Sequence, residues 1–151
     1  MELASLKPEV TSIINNEQFN VDLKMQGICE LLQDKVATYD WVGFYMAHKT
    51  EPTLHLKSQA GIPTDHTVIP FGKGICGQVA VSNANFVVPD VKAQDNYIAC
   101  SIHVKSEIVI PLFKEGKNIG QIDIDSNTID AFDHKDEQFL EWVNEQVSEL
   151  L

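Results

Sequence analysis

Two strand-like runs around Glu115-Gly116-Lys117 constrain this chain more than any other stretch. Ile108–Phe113 and Asn118–Asp125 are rich in branched and aromatic residues and flank a glycine-bearing turn, which predicts a β-hairpin. In the second run Asp123 and Asp125 alternate with Ile122 and Ile124. A strand turns successive side chains to opposite faces, so the acids and the isoleucines part company. With a three-residue loop over 115–117, Lys114 pairs with Asn118, Glu107 lies opposite Asp125 and Val109 opposite Asp123. Glu107, Asp123 and Asp125 then share a face, because directly opposed residues point the same way. Such a loop asks for a left-handed residue at Gly116 or Lys117. A two-residue loop reverses the parity.

The acidic face has two readings. Acids on strands ordinarily face water. If the face is a pocket instead, crowding and burial raise the pKa of at least one carboxyl group. That group can then donate a proton near neutral pH, and the cluster attracts an ammonium group.

The remaining chain supplies helices and further strands. Pro8 suits the first turn of a short helix running to about Asn16. Met25, Ile28, Leu32 and Val36 recur at helical spacing within a helix from Val21 to about Ala37. Cys29 beside that stripe reads as a small buried hydrophobe. Trp41–Met46 reads as a strand with Leu54–Lys57 as its short partner, followed by a loop through Gly61, Pro63 and Asp65. Phe71-Gly72-Lys73-Gly74 turns into a helix that carries Cys76, and Phe86–Pro89 is a short strand. Asp90 to about Ser101 is irregular, as functional loops often are. Asp133 caps a last helix whose apolar face is Phe139, Trp142, Val143, Val147 and Leu150. The sum is an α+β domain: an antiparallel central sheet flanked by N- and C-terminal helices.

Composition removes several function classes. The 151 residues carry a formal net charge of -11 with no arginine, which argues against nucleic acid as a partner. No apolar run reaches the roughly 18–20 residues of a membrane span. The N-terminus lacks the basic and apolar regions of a signal peptide. The three cysteines, Cys29, Cys76 and Cys100, then fit free thiols in a reducing cytoplasm. There is no CxxC, HExxH or phosphate-binding glycine loop, so neither a metal nor another cofactor is expected. Cys100 stands between a loop and a strand, where a thiol can be exposed. Cys76, near a helix N-terminus, is expected to have a lowered pKa. A buried structural cysteine is the alternative at both positions.

The same residues carry a family likeness. Asp40-Trp41-Val42-Gly43-Phe44-Tyr45, Ile69 to Gly77, Val88-Pro89-Asp90-Val91, Ile98-Ala99-Cys100, Ser106 to Leu112 and Asp123-Ile124-Asp125-Ser126 resemble the free methionine-R-sulfoxide reductases, enzymes built on the GAF fold. The likeness spans about residues 40–136. It implies one GAF-like domain over 1–151, with Cys100 as catalytic cysteine and Cys76 as a second cysteine able to form a disulfide. It implies that Glu107, Asp123 and Asp125 hold the substrate and supply a proton, that Trp41 and Tyr45 wall the pocket, and that Asp90 stands on the substrate side. The implied partners are free methionine sulfoxide, a thioredoxin-type reductant and a second copy of the chain joined through the terminal helices. The chain also departs from the family. His66 occupies the position of the usual resolving cysteine, Asn96-Tyr97 replaces Gly-His, and Ser101 replaces aspartate. Three readings remain open on these grounds: a reductase resolved by Cys76 or by an external thiol, a GAF binding module that keeps the acidic pocket without turnover, or a structural dimeric protein with a vestigial pocket.

Overall fold

The computed structural model describes residues 2–97 and 102–151. The helices are α1 (Lys7–Ile14), α2 (Val21–Lys35), α3 (Gly74–Ser82) and α4 (His134–Ser148). The strands are β1 (Trp41–Ala47), β2 (Thr53–Ala60), β3 (Val68–Pro70), β4 (Phe86–Val88), β5 (Ser106–Lys114) and β6 (Lys117–Ser126). They form one antiparallel sheet in the order β3-β2-β1-β6-β5-β4. β2 is longer than expected, and β3 was not expected at all: three residues of edge strand carry too little alternation to be read.

The hairpin reaches the expected register by another route. The loop has two residues, Glu115 and Gly116, with φ of 53° and 79°. Positive φ at both central positions marks the turn type whose twist suits a hairpin, and glycine takes it at no steric cost. Near the turn Lys114 pairs with Lys117 and Phe113 with Asn118. A bulge then inserts Ile119, and Leu112 pairs with Gly120. That extra residue restores the parity lost to the shorter loop. Glu107 therefore lies opposite Asp125 and Val109 opposite Asp123, as the alternation predicts.

The sheet separates two cores. Val42, Phe44, Ile108, Ile110, Ile122 and Ile124 are buried on one face against α1, α2 and α4. Full burial of each such side chain is worth about 1.5–3 kcal/mol. Trp41, Tyr45 and Val109 point the other way and join Ile75, Cys76 and Val79 of α3. α2 begins at Asn20, whose side chain accepts from the Leu23 N–H, and buries Met25, Ile28, Cys29 and Leu32. Cys29 is thus a core residue, its thiol pushed up to about 12 by burial. α4 begins with a reciprocal cap, Asp133 accepting from the Lys135 and Asp136 N–H groups while Asp136 accepts from that of Asp133. Its buried face includes Leu140 and Asn144, whereas Trp142 sits at the rim under the Lys7 ammonium.

Asn144 solves a problem set by a short strand. β4 pairs with β5 only from Val109 downward in sequence, so β5 continues without that neighbour. The Asn144 Nδ2 donates to the carbonyls of Ile110 and Pro111, each at 3.0 Å. Asn144→Ala leaves the carbonyl turned away from β6 without this donor and is expected to cost about 1–3 kcal/mol, read as a lower urea midpoint at an unchanged slope.

Candidate active site

Three strands bring the acids together. Along β1, Trp41 lies opposite Asp125, Gly43 opposite Asp123 and Tyr45 opposite Gln121. From the other side, β5 sets Glu107 against Asp125 and Val109 against Asp123. The acidic face is a buried one: Glu107, Asp123 and Asp125 are only 5%, 2% and 1% exposed. Of the two readings of this face, the pocket is the one the structure adopts.

One cavity is lined by Tyr45, His66, Lys73, Cys76, Glu107 and Asp123 among others. A second is lined by Asp40, Trp41, Ile62, His103, Val104 and Asp125. The expected residues therefore divide, with Tyr45, Cys76, Glu107 and Asp123 in the first and Trp41 and Asp125 in the second. Asp90 is brought into neither. Its carboxylate accepts from the Lys92 N–H at 3.0 Å and caps the turn Val91–Ala93. Cys100, the expected nucleophile, lies outside the described residues.

Within the first cavity the Asp123 carboxyl group stands beside the Glu107 carboxyl group and the Cys76 thiol, their donor atoms within 4.8 Å of one another. Burial raises the Asp123 pKa, and these two neighbours oppose the rise in part. A proton shared between neighbouring carboxyl groups belongs to the pair and not to either residue. Cys76 corrects an expectation. Its thiol is held well above the ordinary range, first by burial and then by the charges of Asp123 and Glu107. Those effects outweigh the helix N-terminus, so Cys76 rests as a thiol and not a thiolate.

The sign of the pH effect follows. A carboxyl group with a raised native pKa binds its proton more tightly in the fold than in the unfolded chain. Charging Asp123 therefore costs native stability as pH rises from the ordinary value of 3.8 toward the folded pKa. Asp123→Asn is expected to gain stability relative to the unsubstituted protein across that window. Urea midpoints measured from about pH 4 to pH 7 read the effect, and parallel profiles would contradict it.

The surroundings fix this group in place. The Tyr45 hydroxyl donates to the His66 carbonyl at 2.8 Å, which holds His66 at the cavity wall. Asn96 replaces a family glycine with a working contact: its Oδ1 accepts from the Gly74 N–H at 2.9 Å and its Nδ2 donates to the Gly72 carbonyl at 2.7 Å. It thereby ties the irregular segment to the start of α3. Gln121 was missed in the sequence. It is fully buried, and its Nε2 donates to the Cys76 carbonyl at 3.1 Å. The signal was there, since 121, 123 and 125 share one strand face.

This is the fold of a GAF domain, and the GAF domain profile matches residues 22–151. The chain is 36% identical over 136 residues to GAF domain-containing protein A of Dictyostelium discoideum, covering 90% of this chain and 84% of that one. It is 35% identical over 121 residues to a free methionine-R-sulfoxide reductase of Escherichia coli, covering 80% and 72%. The crystal structure of free methionine-R-sulfoxide reductase from Neisseria meningitidis in complex with its substrate superposes with a TM-score of 0.91 at 32% identity, covering 98% of this chain and 87% of that one. The chain belongs to the GAF domain family and, within it, to the free methionine-R-sulfoxide reductases. Among the described residues no helix is long and apolar enough to cross a membrane.

Proposed function

We propose that this protein reduces free L-methionine-R-sulfoxide to methionine. The observation that carries the reading is the buried meeting of a thiol and two carboxyl groups, Cys76, Glu107 and Asp123, on one cavity of a chain in this family.

The chemistry runs as a thiol-dependent reduction. The Cys100 thiolate attacks the sulfoxide sulfur. The sulfoxide oxygen takes a proton from the Glu107–Asp123 pair, where burial raises the Asp123 pKa and so favours the protonated form. The oxygen passes to sulfur of Cys100, methionine leaves, and Cys100 is a sulfenic acid. Cys76 then attacks that sulfur. Its proton goes to Asp123, the carboxylate beside it, and the displaced hydroxide takes that proton and leaves as water. A thioredoxin-type dithiol reduces the resulting disulfide by exchange and is itself oxidised. Each cycle converts one sulfoxide and one dithiol to one thioether, one disulfide and one water.

The same residues account for the choice of substrate. Buried carboxylates favour the ammonium of a free amino acid over the amide nitrogen of a residue within a chain. Lys73, exposed at the cavity mouth, complements the substrate carboxylate. Trp41 and Tyr45 pack the methyl end, and Asp90 orders the loop before Cys100. The reading extends to a single GAF-like domain working in the cytoplasm as a homodimer.

Formation of methionine from free methionine sulfoxide with dithiothreitol or thioredoxin as reductant tests this directly. Cys100→Ser is expected to abolish it with both. Cys76→Ser is expected to lose the thioredoxin-driven reaction and keep the dithiothreitol-driven one. A protein that is stabilised by methionine sulfoxide but turns over with neither reductant is a binding module, and the reductase reading is then wrong.

A further inference from the structure

We propose that the cavity beside α3 is also a binding site for one thiophilic divalent cation of the zinc class, held by the Cys76 sulfur and one oxygen each from Glu107 and Asp123. These donor atoms all lie within 4.8 Å of one another, and all three residues are buried. On a tetrahedral zinc ion, with metal–ligand bonds of about 2.0–2.3 Å, ligand atoms stand roughly 3.5 Å apart. Small side-chain rotations close that gap.

A second, independent observation points at a ligand. The Oδ1 of Asp123 is buried, lines this cavity and has no hydrogen-bond partner. An unpaired acceptor in that position is costly unless something binds it. One sulfur with two oxygens suits zinc, cobalt or cadmium, while magnesium and calcium want oxygen alone. A dication also offsets the negative charge that the three donors carry when they ligate it.

The donors sit on rigid supports. Glu107 and Asp123 stand on adjacent central strands, β5 and β6. The Cys76 backbone is tied to β6 by Gln121. The three donors share their cavity with His66, the residue that departs from the family pattern. A cation there fills the space that the reductase reading gives to substrate, so zinc acts as a reversible inhibitor.

A second cluster joins His48 and Glu51 of the β1–β2 loop to His55 of β2, with its donor atoms equally close. There the His48 Nδ1 already accepts from the Thr50 and Glu51 N–H groups at 3.2 and 3.1 Å, so ligation through that nitrogen must break both bonds. It also contains no sulfur, which separates the two sites in an experiment.

The experiment is a cobalt(II) titration of the reduced full-length protein in thiol-free buffer, followed by near-ultraviolet absorbance. The expected result is a thiolate-to-cobalt charge-transfer band that saturates at one equivalent and is removed by zinc. Cys76→Ser is expected to lose the band, and Asp123→Asn to require at least about tenfold more cobalt. Cys29→Ser should keep it. Circular dichroism confirms that each variant is folded. No band at stoichiometric cobalt, or a band that survives Cys76→Ser, overturns the proposal. The readout is binding alone, so its failure leaves the reductase reading intact, and absence of turnover in metal-free protein leaves the cation site intact.

Discussion

Glu107→Gln is expected to lower kcat/KM for the sulfoxide by about 10²- to 10⁴-fold, the usual contribution of a positioned proton donor, and to raise the melting temperature. Glutamine keeps the shape of the side chain. Its amide can donate to the Asp123 carboxylate, which stands beside it. It has no proton to give to the sulfoxide oxygen, so the chemical step slows. The stability effect has a separate cause. Glu107 is buried directly opposite Asp125 and beside Asp123, and opposed like charges destabilise a strand pair. Glutamine cannot take up the charge that Glu107 gains when it loses its proton, so the variant escapes that repulsion. Steady-state kinetics and thermal unfolding on the same preparation read both arms. Full turnover in the variant would remove Glu107 from proton donation. A lowered melting temperature would mean that its charge is compensated more fully than this account holds.

Gly43→Ala is expected to destabilise the protein by about 1–3 kcal/mol, the usual cost of overpacking, and to weaken binding of methionine sulfoxide. Gly43 lies opposite Asp123 in the centre of the sheet. A β-carbon built there would overlap the Trp41 indole. Glycine at 43 therefore lets Trp41 lie across the strand and form the wall of the cavity that also contains Asp125. The added methyl group pushes the indole away from that wall. Two measurements separate this from a general loss of packing. Trp41→Phe in the Gly43→Ala background should recover stability, giving a coupling of the two sites beyond simple addition. Intrinsic tryptophan fluorescence should also shift, because the indole of Trp41 changes its surroundings while Trp142 at the rim does not. Additive stability losses with unchanged fluorescence would contradict the proposed contact.

How much of this was legible in the sequence depended on whether the signal was local. The acidic face could be read because a strand alternates strictly, and because isoleucine at 122 and 124 left only one face for Asp123 and Asp125. The turn could not be read from the same pattern. A two-residue loop with a bulge at Ile119 and a three-residue loop give the same register further along, so the register was right although the loop was not. The core position of Cys29 followed from helical spacing. Burial of the acids did not follow from β5 and β6 alone, since it requires α3 to pack over them. The state of Cys76 was misread for that reason. A helix N-terminus is visible in sequence, whereas full desolvation beside Asp123 and Glu107 appears only after folding. Asp90 shows the same limit: an aspartate before a turn can cap it or meet a ligand, and here it caps.

The chain's departures from its relatives now have physical content. Asn96 is a clamp on the start of α3. His66 takes the place of a cysteine at the wall of the cavity that holds Cys76. The reductase reading therefore assigns to Cys76 the resolving role that position 66 has elsewhere in the family, with Asp123 as its proton acceptor.

The measurement that tests the central claim most directly is NADPH consumption by the purified protein with thioredoxin and thioredoxin reductase, offered free L-methionine-R-sulfoxide, the S form and a peptide-bound R form in turn. The account predicts steady turnover on the free R form and background rates on the other two. Equal rates on the free and peptide-bound R forms, or background rates on all three, would contradict it.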